Sequence, residues 1–138
     1  MREAVIVSAA RTPIGKAYRG AFNDTQPQAL AAHSITAALQ RAGASAEEVE
    51  DIILGSAMQE GATGFNVARQ AALRAGLPDA VPGMTVDRQC ASGLMAVSIA
   101  AKQVVVDGMS VTVGGGVESI SLIRTSTATP TGPRPLAR

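Results

Sequence analysis

The chain alternates short apolar runs rich in Val and Ile with longer stretches whose apolar residues recur at helical spacing. Residues 3–10, EAVIVSAA, are a near-continuous apolar run, the pattern of a strand covered on both faces. A loop punctuated by Pro13, Gly15 and Gly20 follows. Asp24 or Thr25 is placed to cap a helix that tolerates Pro27 in its first turn and runs to Ala42, with Gly43 as its stop. Ala31, Ile35, Ala38, Leu39 and Ala42 fall on one side of that helix, and His33, Thr36 and Gln40 on the other.

Ser45 and Glu48 have capping-box spacing, which predicts a single helical turn before the next strand. That strand is DIILGSAM, 51–58. Asn66 opens a second helix, ended by Gly76 and Pro78. GMTVD (83–87) reads as a third strand, and a third helix runs from near Cys90 to Asp107, where Gly108 stops it. SVTVGGG (110–116) is a fourth strand. The order βαβαβαβ predicts an α/β fold with a largely parallel sheet and helices on both faces. Residues 1–123 make up this domain. The tail 124–138, RTSTATPTGPRPLAR, has no apolar period and predicts disorder.

The third helix changes this picture. Over ASGLMAVSIAAKQVVV the apolar positions go round the whole helix, broken late by Lys102 and Gln103. Such a helix is buried on every side. Four strands and three helices cannot cover it, so a further element or another subunit is expected there, and the chain is expected to form homo-oligomers. Met58, Met84, Met95 and Met109 read as core packing.

Composition narrows the function. The 138 residues suit one domain with a real core. Hydrophobic residues are 46% but aromatics only 2%, so the core is built from small and aliphatic side chains. Twelve basic and eleven acidic residues leave a net charge of +1, which gives no footprint for nucleic acid. No apolar run reaches the roughly 20 residues of a bilayer span, and none is expected. A single cysteine excludes an internal disulfide and fits a reducing, cytoplasmic setting. One Cys and one His, far apart, offer no metal site.

That cysteine, Cys90, sits where a polar strand end meets the third helix, in VDRQCASGLMAV. Unpaired N–H groups and the dipole at a helix start favour an anionic sulfur, the nucleophilic form, and could hold an oxyanion during acyl transfer. Ala91, Ser92 and Gly93 are small enough for an acyl group to approach. Position alone leaves a second reading open, that Cys90 is a small buried hydrophobe. His33 lies on the polar helix side and is not assigned a catalytic role. The stretch VGGGVES (113–119) lacks phosphate-loop spacing and reads as a close backbone approach.

DRQCASGLMAV resembles the nucleophile segment of the thiolases, the acetyl-CoA acetyltransferases and 3-ketoacyl-CoA thiolases. VIVSAARTPIGK, ILGSAMQEG, NVARQAALRAGLP and GGGVESIS resemble further segments of that family in the same order, so the likeness covers about residues 3–123. Arg88 and Gln89 look more like the degradative branch than the biosynthetic one. The resemblance implies a thiolase N-terminal domain, with the four strands in the order 3-2-1-4. It implies Cys90 as the catalytic residue, carrying an acyl thioester, with acyl-CoA as substrate and coenzyme A as co-substrate and no tightly bound cofactor. It also implies a C-terminal half against the third helix. The family's later segments, with an activating His and a second Cys, do not occur in these residues, so the chain reads as truncated and inactive alone. Two alternatives remain: a ketoacyl synthase, against which RTPIGK and GGGVES speak, and a non-catalytic fragment acting by association.

Overall fold

The computed structural model describes residues 2–123, so the expectation for the tail 124–138 lies outside the described residues. Its centre is strand β1, Asp51–Gly55, with every residue buried. Strands β2, Gly83–Val86, and β3, Thr112–Gly116, flank it in parallel, in the order β2-β1-β3. Ile52 stands opposite Gly83 and Val113, and Leu54 opposite Thr85 and Gly115. A strand hydrogen-bonded on both sides and covered on both faces needs apolar residues at consecutive positions, which is what Ile52–Ile53–Leu54 supplies.

The two faces follow from the period of two along a strand. Ile52 and Leu54 join Ala31 and Ile35 of helix α1 (Pro27–Ala42) and Ala68, Ala71 and Ala72 of helix α2 (Val67–Arg74). Ile53 turns to the other face and meets Ala96 and Ala100 of helix α3 (Ser92–Lys102). The parallel sheet with helices on both faces is therefore as expected.

Local signals were mostly legible. Gly43 ends α1 in the left-handed conformation at φ 67°. The Asn66 side chain accepts a hydrogen bond from the Arg69 N–H at the start of α2. The Glu48 carboxylate accepts the Ser45 N–H at 2.7 Å over the short turn Ala46–Glu48. The cap of α1 differs from expectation. The flanking residue is Gln26, whose side chain makes no cap bond, and Pro27 follows it in the first turn, where its missing N–H costs nothing.

Two larger expectations are corrected. Residues 3–10 form no strand, and Val5, Ile6 and Val7 are exposed, Ile6 at 82%. β1 pairs directly with β3, so no slot exists between them, and the order 3-2-1-4 does not hold. The apolar run encodes a need for burial, not a partner, and among the described residues nothing covers it. The Arg2 guanidinium bonds the Gly108 carbonyl, and Arg41 donates to the Ala9 carbonyl at 2.8 Å, which pins the segment at its two ends.

The third helix is α only to Lys102. Residues Gln103–Asp107 widen into a π turn before Gly108, at φ 81°. Its far side is open: Leu94 is 75% and Val106 76% exposed. Met58 and Met84 are exposed too, so they are not core residues in this domain. Contrary to the reading of its length, the stretch Gln89–Asp107, with a mean hydropathy of 1.3, is long and apolar enough to cross a membrane. Here it lies on the sheet through Ala96 and Ala100.

Candidate active site

Parallel strands all end on the same side of a sheet, and the corner that leaves β2 there is short. β2 stops at Val86 and α3 starts at Ser92, so Asp87–Ala91 must reverse from strand to helix. Gln89 takes the strain, with φ at 50°. A residue with a side chain held in the left-handed region costs of order 1–3 kcal/mol and persists only where its surroundings enforce it.

Short polar side chains enforce it. The Gln89 N–H donates to Asp87 Oδ1 at 2.8 Å. Ser92 Oγ accepts the Arg88 N–H at 2.8 Å and donates to the Gln89 carbonyl at 2.6 Å. The Ala91 N–H adds a bond to the Arg88 carbonyl at 3.1 Å. Ser92 is only 3% exposed, so its hydroxyl is committed to this corner.

Glycines set how close the corner comes to the sheet. A Cβ on Gly55 would lie 2.2 Å from the Ser92 carbonyl carbon, one on Gly114 2.8 Å from Val97 Cα, and one on Gly116 3.2 Å from Gly93 Cα. The start of α3 thus sits on the bare backbone of β1 and β3. This is the close approach that VGGGVES predicts.

Cys90 stands at this corner and is exposed, which removes the reading of it as a buried hydrophobe. A groove lined by Arg88, Ala91, Leu94, Met95 and Ser98 opens alongside. His33 is exposed on α1, whose buried side packs with α2 on the opposite face of the sheet from α3, so the fold does not bring it to Cys90. Sequence reasoning singled out Cys90 but not Asp87, Gln89 and Ser92, which frame it. The available signal was an Asp two residues before Gln89 and a Ser three after it, residue types that bond local backbone at turns and helix starts.

A parallel sheet with helices on both faces, with an exposed cysteine on the turn from a strand into a helix, defines an α/β domain. The family profile described as "Thiolase, N-terminal domain" matches residues 4–134, and the chain belongs to the thiolase family. It is 42% identical over 123 residues to a 3-ketoacyl-CoA thiolase of Bacillus subtilis, spanning 89% of this chain and 32% of that protein. It is 45% identical over 121 residues to an acetyl-CoA acetyltransferase of Cupriavidus necator, spanning 88% of this chain and 30% of that one. The crystal structure of the Bacillus anthracis acetyl-CoA acetyltransferase superposes with a TM-score of 0.85 at 38% identity, covering 100% of this chain and 34% of its own. The chain therefore spans about a third of the length of the relatives it matches.

Proposed function

We propose that this domain carries the acyl-accepting nucleophile of a thiolase-type acyl-CoA acyltransferase, and that Cys90 is that nucleophile. The Cys90 sulfur adds to the C3 carbonyl of a 3-ketoacyl-CoA. The bond between C2 and C3 then breaks, and its electron pair leaves on acetyl-CoA as an enolate, which takes up a proton. The shortened acyl group stays on Cys90 as a thioester until the thiol of free CoA displaces it. The reverse sequence is a Claisen condensation. The observation that carries this reading is an exposed cysteine held on a strained corner, inside a segment that the thiolase family shares.

Two proton transfers accompany this chemistry, and well-placed acid–base groups contribute about 10²–10⁴-fold each. The 138 residues contain one histidine, His33, on the wrong face of the sheet, and no second cysteine. Turnover accordingly needs residues outside this chain. A second reading, association without catalysis, rests on the open apolar side of α3. Thiolytic cleavage of acetoacetyl-CoA, followed by absorbance, separates the two. A thiolase-length polypeptide carrying this domain turns over and loses activity on Cys90→Ser, while the 138-residue chain does not turn over. Full activity of the Cys90→Ser form would overturn the assignment.

A further inference from the structure

Resting on the reading of Cys90 as acyl acceptor, we propose that Asp87 and Ser92 are positioning residues that hold Gln89 in the left-handed conformation and so fix where the Cys90 sulfur stands. Neither needs to touch substrate. Asp87 Oδ1 fixes the Gln89 N–H, and Ser92 Oγ fixes the Gln89 carbonyl, so both ends of that one residue are tied by side chains. The same Ser92 oxygen takes the Arg88 N–H, which joins the strand end to the helix start through a single buried atom. Gln89 has φ 50°, and its carbonyl carbon is bonded to the Cys90 nitrogen, so a change at Gln89 swings Cys90 directly. The packing of α3 on Gly55 and Gly116 leaves the helix itself no freedom to follow.

The role gives a specific genetic signature. If Ser92 serves to hold a positive φ, then a residue that adopts positive φ without strain replaces it. The test is alkylation of the sole cysteine by iodoacetamide in the 138-residue chain, native and in urea, with thermal unfolding run beside it. Native Cys90 reacts faster than in the unfolded chain. Ser92→Ala and Asp87→Ala each slow it toward the unfolded rate, by about threefold to tenfold, short of the roughly 10²-fold that a 1 Å misplacement of reacting groups can cost. Asp87→Asn, which keeps the acceptor, retains the native rate. Adding Gln89→Gly to Ser92→Ala restores it, which a general loss of stability would not produce. Unchanged alkylation in a folded Ser92→Ala chain, or failure of Gln89→Gly to restore the rate, overturns the proposal. Acylation by a thioester is scored separately, in a thiolase-length polypeptide carrying this domain: if alkylation behaves as stated but no acyl group reaches Cys90 there, the positioning stands and the reading of Cys90 as acyl acceptor falls.

Discussion

The two faces of the sheet are finished to different degrees. Under α1 and α2, Ile52 and Leu54 belong to a cluster of ten buried residues, with Leu39, Val111 and Val113 packed at its edge. Under α3, Ile53 meets only Ala96 and Ala100, with Val86 and Ile99 partly buried beside them. The first face is closed by aliphatic side chains. The second is closed by backbone, because glycines on β1 and β3 let a helix of small residues lie directly on the sheet. The closed face supplies stability, and the close-packed one supplies position. Cys90 is on the second.

The sharpest way to break that contrast is to truncate the two central isoleucines, both fully buried. Ile52→Ala opens a hole in the larger cluster and is expected to cost about 4 kcal/mol, while Ile53→Ala, in the smaller cluster with fewer apolar neighbours, is expected to cost about 2 kcal/mol. Urea unfolding of the two variants measures the difference. Equal losses would mean that the faces contribute alike. Gly55→Ala tests position. Its methyl group would have to push the Ser92 backbone aside, at an expected cost of about 2–3 kcal/mol, near the upper end for overpacking. The Cys90 alkylation rate should change with it. A variant destabilised to this extent with an unaltered Cys90 rate would separate the glycine seat from the corner.

A smaller effect is expected at Asn66, which caps α2 and also donates to the Gly83 carbonyl at 2.8 Å. Asn66→Ala should lower stability by about 1–2 kcal/mol, as lost caps do, and leave Cys90 reactivity alone, since α2 is on the closed face. The smallest stability effect belongs to the open side of α3. Leu94→Lys combined with Val106→Lys should alter stability by no more than about 0.5 kcal/mol per site, as surface changes do. The same pair should reduce concentration-dependent association in light scattering, because apolar patches of more than a few hundred Å² mark interaction surfaces. Association unchanged by both lysines would place the contact elsewhere.

How far the chain could be read in advance differs between these regions for a physical reason. Ile52–Leu54, the α1 face of Ala31 and Ile35, and the stops at Gly43 and Gly108 depend on neighbours close in sequence or on burial within this domain, and they read correctly. Residues 3–10 and the outer side of α3 encode burial that the described residues do not provide. Their hydrophobicity was legible, but their partners were not. The pairing of β1 with β3 is a long-range choice that no local pattern specifies. At the site, Cys90 was visible as a lone thiol at a helix start. The frame of Asp87 and Ser92 was not, because hydrogen bonds to a strained Gln89 leave no periodic signal.

The central claim is that Cys90 accepts an acyl group. The 138-residue chain is incubated with acetoacetyl-CoA, digested, and each peptide weighed by mass spectrometry. One acetyl group should be found on the peptide containing Cys90, at no more than one per chain, and none on the Cys90→Ser form. Acetylation confined to lysines, or persisting equally in Cys90→Ser, would contradict it.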